Sequence, residues 1–260
     1  MNAPIIQSLW IGNELSKLEQ LSIASFLYHG HQFHLYTYDD LSGIPDGTQL
    51  KDANEIILEK NIFTYHNGSY AGFADWFRWA LLFKKGHFWV DTDVICLKPF
   101  NFDTNIIFGL ENVDIACPAV LRFPVKHDLC RFLEKNCENP NRFLPYDSMK
   151  IKYKKLKRKL LGGKRSHQDW GEIGGPIGFT QALKYFNLLH LAKPASYFYP
   201  IPYTDWHYVF DETLAHETEL FSGAYAVHLW NEMTRREKDF DKNASFPESS
   251  LFEQLKKKYL

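Results

Sequence analysis

Near the N-terminus, the apolar positions change spacing along three successive segments. They run almost unbroken through PIIQSLWIG, recur at helical spacing in EQLSIASFLYH up to Gly30, and are mostly β-branched or aromatic in FHLYTYDD. This pattern predicts a strand, a helix and a second strand. Such an alternation indicates an α/β fold with a single mixed, mostly parallel sheet flanked by helices, and ligands bind such sheets beyond the carboxyl ends of the strands.

The middle of the chain predicts a long helix followed by a buried strand. The segment SYAGFADWFRWALLFKKG has helical periodicity, with Ser69 as the predicted N-cap and Gly86 just after the last turn. The strand HFWV follows directly, and DANEIILEK before the long helix predicts a short helix. The carboxyl end of HFWV is therefore expected at the ligand-binding edge of the sheet.

The remaining segments complete one predicted domain over residues 1–260, with ample apolar content for a core. They are strands at IIFGL and DIACPAVL, a helix near residues 126–137, a turn and helix at GGPIGFTQALKYF, strand ends at SYFYPIPY and AYAVHLWNE, and a charged C-terminal helix. The glycines of the Gly-Gly-Pro turn permit close backbone approach to a ligand.

Two carboxylates, Asp91 and Asp93, follow the buried strand HFWV with no obvious cationic partner. Asp-x-Asp also occurs at Asp239 and Asp241, and one occurrence is expected by chance in a chain of this aspartate content. That second copy follows no strand and is interpreted as a solvated turn. Carboxylates on alternate residues of a turn can offer oxygen ligands to Mg²⁺ or Mn²⁺, and the alternative is that they only cap the turn.

Three more residues are candidates for the same site. Asp75 and Arg78 lie three residues apart in the long helix, among aromatic residues where an unpaired charge is expensive. Either they form a buried ion pair, or Arg78 contacts a phosphate or sugar oxygen while Asp75 binds a sugar hydroxyl. His228 ends a predicted strand and is a candidate third metal ligand, although a lone histidine is more often structural.

The formal net charge of −1 hides an asymmetry. Nine basic residues and no acidic one lie between Lys150 and Arg165, and Tyr153, Leu156 and Leu160 recur there at helical spacing. Two interpretations stand: an amphipathic basic helix resting on an anionic membrane surface, or a solvated mobile loop. Nucleic acid is not an expected partner, because the patch is short and no nucleic-acid-binding motif surrounds it.

The cysteines and the N-terminus bear on the compartment. Cys96, Cys117, Cys130 and Cys137 form no CxxC pair, which favours free thiols in a reducing compartment. The opening MNAPIIQSLW lacks the pattern of a leader peptide, and no apolar stretch reaches the length of a membrane span. We expect a cytoplasmic protein, with peripheral attachment to the inner face of the plasma membrane as an extension of the basic-helix interpretation.

Taken in order, the motifs resemble one enzyme family. The segments are IIQSLWIG, TYDD, DANEI, AGFADWFRWALLFKKGHFWVDTDVICLKPF, GGPIGFT and AVHLW. Together they are similar to the DXD-containing glycosyltransferases of family 32, a group with α-1,4-galactosyltransferases, initiating mannosyltransferases and capsule or lipopolysaccharide enzymes. The similarity is strongest over residues 71–99, where a small residue, Asp, Arg, a helix, Gly, an aromatic strand and Asp-x-Asp follow one another.

The resemblance implies a GT-A type nucleotide-sugar-binding fold, a divalent cation (Mn²⁺ or Mg²⁺) and hexose transfer with retention of anomeric configuration. The motifs do not specify the base or the sugar of the donor. We expect a UDP-hexose, galactose or glucose first, with GDP-mannose as the alternative, since Trp10 would stack on either base. Because no leader or membrane span is predicted and the stretch at 150–165 is basic, we expect the acceptor to be an oligosaccharide or glycolipid of bacterial lipopolysaccharide or capsule. Because the leaving group is a metal-bound diphosphate, we expect front-face attack by an acceptor hydroxyl rather than a covalent intermediate on a carboxylate.

The resemblance also implies roles for individual residues. Asp93 is implied as the direct metal ligand and Asp91 as the residue that holds ribose or the water shell of the metal. His228 is implied either to complete the metal site or to contact the diphosphate. Asp75 and Arg78 are implied to hold the donor sugar and its phosphate. Leu9 and Trp10 are expected to lie beside the base. Gly174, Gly175 and Pro176 are expected to shape the acceptor side of the pocket, where Gly175 and Pro176 contact the ligand.

The chain departs from the family pattern at two places. Lys85 and His87 flank Gly86 where members often have Gly-Gly before the aromatic strand, a change expected to leave the turn intact. The basic insertion at 150–165 has no counterpart in the pattern, and it puts the acceptor side in question.

Two other functional classes fit part of the sequence. FWVDTDVI is similar to the strand and Asp-x-Asp of haloacid-dehalogenase-type phosphatases, but Ile95 replaces their hydroxyl residue and no late acidic metal pair follows. The second class is a non-catalytic module that binds a nucleotide or glycan without turnover. The presence together of all the acidic, basic and histidine candidates argues against that module.

Overall fold

The computed structural model describes residues 4–163, 171–216 and 219–260. Within these ranges a six-stranded sheet has the order β3-β2-β1-β4-β7-β6, and β5 pairs with β8 in a separate two-stranded sheet. The strands are β1 (Ile5–Leu9), β2 (Gln32–Thr37), β3 (Gln49–Asp52), β4 (Phe88–Val90), β5 (Val94–Cys96), β6 (Ile107–Leu110), β7 (Ala116–Arg122) and β8 (Ala226–His228).

The main sheet is mixed and mostly parallel. Strands β3, β2, β1 and β4 run parallel to one another, whereas β7 is antiparallel to both β4 and β6. The carboxyl ends of β1, β2 and β4 therefore lie along one edge. This topology confirms the predicted α/β class, and it agrees with the GT-A arrangement that the resemblance implied.

Helices cover both faces of the main sheet. They are α1 (Lys17–Tyr28), α2 (Ala71–Lys85), α3 (Asp128–Glu138), α4 (Met149–Leu160), α5 (Pro176–Tyr185), α6 (Asn231–Arg236) and α7 (Leu251–Tyr259). One core cluster joins α2, α3 and α5 to the sheet, and two others lie among α1, α7, β5 and β8. In β4, Trp89 points to the first cluster while Phe88 and Val90 point to the opposite face, because successive strand side chains alternate.

Two segments differ from the prediction because local hydrogen bonds and prolines override periodicity. DANEIILEK forms two short 3₁₀ turns, Ala53–Glu55 and Glu59–Asn61, rather than one helix. The Asp52 carboxylate accepts from the Asn54 N–H at 2.8 Å, and the Asn54 side chain accepts from the Glu59 N–H at 2.9 Å. The first bond caps the N-terminus of the first turn, whereas the second occupies an N–H that a continuous helix would pair with the carbonyl four residues earlier.

The segment SYFYPIPY was predicted to contain strand ends and instead leads through 3₁₀ turns at Ala195–Tyr197 and Tyr203–Val209. Pro200 and Pro202 lack an N–H for a strand ladder. Strand β3 at QLKD was missed, because it is short and largely polar.

The long helix begins one position later than predicted. Tyr70 is the N-cap of α2, and the Ser69 hydroxyl accepts a hydrogen bond from the Ala71 N–H at 3.3 Å. Gly86 ends the helix at φ +65°, and its N–H donates to the Leu82 carbonyl, as the sequence predicted.

For the basic segment, the helical alternative is correct and the loop alternative is wrong over Met149–Leu160. Lys164 and Arg165 lie outside the described residues. Along the ranges that the structure describes, no helix combines the length and apolar character needed to cross a membrane.

Candidate metal centre and its cleft

A tight turn between β4 and β5 positions both predicted carboxylates. The Asp91 N–H donates to the Ala119 carbonyl of β7 at 2.9 Å, which keeps Asp91 at the end of the main sheet. The Val94 N–H donates to the Asp91 carbonyl at 3.1 Å, so the chain reverses within three residues. The Asp-x-Asp motif therefore spans the transition from the main sheet to the two-stranded sheet.

Pairing of β5 with β8 brings His228 to this turn. Val94 lies directly opposite His228 in the antiparallel register. The Asp93 carboxylate is then 3.1 Å, Oδ2 to Nε2, from the imidazole, and it accepts from the Asn231 N–H at 2.7 Å. Residues far apart in sequence thus meet because a short β-ladder aligns them.

Asp91, Asp93 and His228 form a candidate metal centre. Each offers one ligand atom, and these atoms lie within 4.8 Å of one another. The Nδ1 atom of His228 is buried and has no hydrogen-bond partner among the described residues. Two carboxylates and an imidazole suit Mn²⁺ and are acceptable to Mg²⁺, so the donor set fits the divalent cation that the resemblance implied.

Arg78 is the cationic partner that the sequence did not reveal for Asp91. Its Nη2 lies 3.3 Å from Asp91 Oδ1 and 3.4 Å from Asp75 Oδ1, and its Nη1 donates to the Pro118 carbonyl at 2.7 Å. The guanidinium also lies over the Trp89 ring, 5.2 Å from its centroid. The predicted ion pair of Asp75 and Arg78 is present, and Arg78 extends it to the Asp-x-Asp motif.

The surroundings of the three aspartates shift their pKa values in different directions. Burial raises the pKa of Asp75 to about 7, against the opposing effect of Arg78. Burial also raises the pKa of Asp91, and Arg78 only partly offsets this. For Asp93, burial favours the neutral form, but the His228 charge and the Asn231 N–H outweigh it and lower the pKa. Burial disfavours the charged His228, yet Asp93 outweighs it and raises the pKa of the imidazole.

These side chains open onto one cleft of about 830 Å³. Its walls include Leu9 and Trp10 from the end of β1, together with Pro176 and Ile177 from the start of α5. The Trp10 Nε1 atom is buried without a hydrogen-bond partner in the described part of the chain. A volume of this size accommodates a nucleotide-sized ligand. The predicted positions of Leu9, Trp10 and Pro176 at the cleft are thus correct, while their binding roles stay predictions.

Gly174 and Gly175 take a different place from the predicted one. They pack behind the cleft wall against α2, where the Trp79 indole donates to the Gly174 carbonyl at 2.8 Å. A Cβ at Gly175 would meet Asp75 Oδ2 at 3.0 Å, and one at Gly174 would meet Asp75 Cβ at 3.1 Å. Their backbone approaches a site side chain and not the cleft, so Gly175 is better described as support for Asp75 than as a ligand contact.

Three contributors to the site were not identified from the sequence. The Trp89 indole donates to Asp91 Oδ1 at 2.7 Å, Asn231 holds Asp93 through its backbone, and Glu111 lines the cleft at the end of β6. Burial raises the pKa of Glu111, and the Cys117 side chain opposes this by hydrogen bonding. Glu111 follows the predicted strand IIFGL, so the strand-end criterion applied to HFWV also points to it. A backbone donor such as Asn231 leaves no sequence signal.

Residues 179–259 match the model described as the alpha 1,4-glycosyltransferase conserved region. This range contains β8 with His228 and the start of α6 with Asn231. The matched region therefore supplies one wall of the candidate metal centre, whereas Asp91 and Asp93 precede it.

Related proteins are similar over a longer stretch. The chain is 27% identical over 174 residues to the Rattus norvegicus lactosylceramide 4-alpha-galactosyltransferase and 28% identical over 174 residues to the Mus musculus protein of that name. Each alignment covers 62% of this chain and 41% of the relative, so the chain spans less than half the length of these relatives. A solved structure named PaToxG Glycosyltransferase superposes with a TM-score of 0.46 at 16% identity, covering 71% of this chain and 69% of that one.

Proposed function

We infer that this chain is a glycosyltransferase of the alpha 1,4-glycosyltransferase type. The family-model match and the galactosyltransferase relatives confirm the resemblance that the ordered motifs indicated. We propose that it transfers a hexose from a UDP-sugar to a glycan acceptor in the cleft between β1, β4 and α5. The observation that carries this proposal is the convergence of Asp91, Asp93, His228 and Arg78 on that cleft.

The proposed metal site consists of Asp91, Asp93 and His228. A divalent cation bound there supplies positive charge that neutralises the diphosphate leaving group. Asp93 is prepared for this role, because its low pKa keeps it ionised and the Asn231 N–H fixes its orientation. The Trp89 indole N–H donates a hydrogen bond to one oxygen of Asp91, which orients this carboxylate at the end of β4.

Arg78 is proposed to contact an oxygen of the donor. It is buried and anchored by the Pro118 carbonyl, so its position is set before any ligand binds. Its Nε is buried without a hydrogen-bond partner among the described residues, which leaves an unsatisfied donor at the cleft. A phosphate or sugar oxygen would satisfy this donor and accept a charge-assisted bond. Asp75 next to it is proposed to bind a sugar hydroxyl.

We propose a front-face reaction that retains the anomeric configuration. The bond from the anomeric carbon to the β-phosphate oxygen breaks, a bond to the acceptor oxygen forms, and the departing phosphate oxygen takes the acceptor proton. The Glu172 carboxylate is not positioned as a nucleophile among the described residues, since it does not line the cleft and instead pairs with Lys154 at 3.5 Å and with Arg158 at 3.7 Å. Asp169 lies outside the described residues. Isolation of a glycosyl adduct on either carboxylate would overturn this route.

The sugar and the acceptor follow from the relatives only as proposals. The named relatives are galactosyltransferases that act on lactosylceramide, which favours galactose over glucose in the donor and a lipid-linked glycan as acceptor. The bacterial lipopolysaccharide or capsular acceptor expected from the basic stretch stays a prediction. Lipopolysaccharide is itself a lipid-linked glycan, so this expectation is compatible with a lipid-linked acceptor. GDP-mannose is the alternative donor.

The test is slow donor hydrolysis without acceptor. Purified protein is incubated with Mn²⁺ and, separately, UDP-galactose, UDP-glucose, UDP-N-acetylglucosamine or GDP-mannose, and released nucleotide is measured with and without EDTA. We expect EDTA-sensitive release of UDP from UDP-galactose. If no donor is hydrolysed, nucleotide binding decides: binding indicates a module without turnover or a strictly acceptor-dependent enzyme, and no binding contradicts the assignment. Release of phosphate from p-nitrophenyl phosphate would instead support the phosphatase class.

A further inference from the structure

Helix α4 is amphipathic, but it buries a charged side chain against the protein and exposes apolar side chains to solvent. Its lysine Lys155 is buried and pairs with the Asp147 carboxylate at 2.7 Å. Four large apolar side chains of the same helix are instead exposed, with exposed fractions between 43% and 78%: Met149, Tyr153, Leu156 and Leu160. A helix that buries a charge and presents its apolar residues to solvent has its apolar side available for a partner.

These four residues form one continuous stripe. At about 100° per residue they occupy a sector roughly 60° wide, on the side of the helix away from Lys155. Lysines border the stripe on both sides, with Lys152 and Lys159 along one edge and Lys150 and Lys157 along the other. The helix carries seven basic residues and no acidic one, so its outer surface is both apolar and strongly positive.

We propose that α4 docks on an anionic lipid bilayer, with the apolar stripe in the interface and the bordering lysines on lipid phosphates. The combination of a narrow apolar stripe and flanking lysines fits an interfacial helix, because the lysine stems can lie along the hydrocarbon boundary while the amines reach the headgroups. An acidic protein surface would satisfy the lysines but would leave the apolar stripe without a partner. The bilayer satisfies both.

The contacts of α4 relate the docking surface to the cleft. Lys154 and Arg158 pair with Glu172, which precedes the turn that starts α5. Pro176 and Ile177, directly after that turn, line the cleft. A docked α4 would therefore place the α5 side of the cleft near the headgroups, where a glycolipid acceptor stands. This last step rests on the proposed function, whereas the docking itself does not.

Vesicle co-sedimentation tests the docking with matched variants. The vesicles contain equal parts of phosphatidylglycerol and phosphatidylcholine, with pure phosphatidylcholine for comparison. The stripe variant carries Leu156→Gln and Leu160→Gln, and its control carries Leu50→Gln and Leu58→Gln, two leucines exposed elsewhere. The charge variant carries Lys150→Gln, Lys157→Gln and Lys159→Gln, and its control carries the same change at the exposed Lys60, Lys238 and Lys257.

We expect binding to the anionic vesicles only, and a loss of more than about tenfold in affinity for both α4 variants but neither control. Insertion is read separately from a fluorophore on Leu160→Cys, which is selective because the four native thiols are buried. Its emission should shift to the blue on anionic vesicles, and that of Leu58→Cys should not. Absence of binding, or binding by charge alone with a silent Leu160→Cys label, overturns the proposal.

Donor hydrolysis in solution, measured on the same preparations, keeps the two proposals apart. Variants of α4 should hydrolyse UDP-galactose like the wild type, since the substituted side chains are exposed and away from the metal centre. Docking by a protein that neither hydrolyses nor binds any of the nucleotide-sugar donors would remove the proposed function and leave the docking surface. Hydrolysis without docking would remove the docking surface and leave the proposed function.

Discussion

The imidazole of His228 lies 3.1 Å from the carboxylate of Asp93, although 134 residues separate them, because β5 and β8 pair with Val94 opposite His228. This pair links the Asp-x-Asp motif to the C-terminal region that matches the glycosyltransferase model. Each partner favours the charged form of the other, so the pKa of His228 is raised and that of Asp93 is lowered.

Metal binding at this pair should release a proton. A divalent cation requires neutral imidazole, so protons and Mn²⁺ compete for His228. We expect Mn²⁺ affinity to rise by about tenfold or more between about pH 6 and about pH 8. Calorimetry in two buffers of different ionisation enthalpy measures both the affinity and the released proton. His228→Ala should bind more weakly and lose most of this pH dependence, and an unchanged pH profile in that variant would exclude His228 as a ligand.

Removal of Arg78 should strongly destabilise the protein. The guanidinium lies between the carboxylates of the buried Asp75 and the partly exposed Asp91, and without it both carboxylates would lose their buried counter-charge. We expect Arg78→Ala to lower the free energy of unfolding by about 3 to 5 kcal/mol in urea titrations without metal. Arg131→Ala is the control, since Arg131 pairs with Glu134 at the same i,i+3 spacing but is half exposed, and it should cost less than about 1 kcal/mol. Similar losses for the two variants would contradict the bridging role.

Asp75 should make stability depend on pH. Its pKa in the folded protein is about 7, above the ordinary value of 3.8, so the folded state holds this proton more tightly than the unfolded chain. The resulting stabilisation is fully present below about pH 4 and is lost as the pH rises through about 7. Asp75→Asn has no titratable group at this position. The free energy of unfolding of this variant, relative to that of the wild type, should therefore increase as the pH rises. Urea midpoints at intervals across this range measure it, and a constant gap would show that Asp75 is ionised throughout.

The four cysteines should be unreactive in the native protein. All four cysteines are buried, and Cys96, Cys117 and Cys130 are free thiols, as the absence of CxxC pairs suggested. Burial raises the pKa of these three thiols. We expect Ellman's reagent to modify the thiols only on unfolding, with all four reacting in denaturant. Rapid labelling of the native protein would mean that the core around β5 or α3 opens readily.

Much of the fold could be predicted because hydrophobic periodicity sets it. Strand β4 is short, but it lies between a long, largely buried helix and a carboxylate pair, so its carboxyl end and the candidate ligands Asp91 and Asp93 could be located from the sequence. The DANEIILEK and SYFYPIPY segments could not, since the side-chain bond of Asn54 and the missing N–H groups of Pro200 and Pro202 act against the periodic pattern.

The site was predicted as a set of residues but not as a network. Spacing placed Asp75 and Arg78 on one helix face, yet the contact of Arg78 with Asp91 depends on how α2 packs against the sheet. Lys155 illustrates the same limit, because nothing in the run KIKYKKLKRK distinguishes the one buried lysine from its exposed neighbours. These contacts depend on packing between segments that are distant in sequence. The pattern of residues within one segment does not predict such packing.

The most direct test of the account compares the two Asp-x-Asp copies in one assay. UDP release from UDP-galactose with Mn²⁺ is measured for the wild type, Asp93→Asn and Asp241→Asn, the last being an exposed aspartate in a turn. We predict at least about a hundredfold loss for Asp93→Asn, because charge stabilisation of the leaving diphosphate is removed, and little change for Asp241→Asn. Metal-dependent release that survives in Asp93→Asn would contradict the assignment of the metal centre to Asp91, Asp93 and His228.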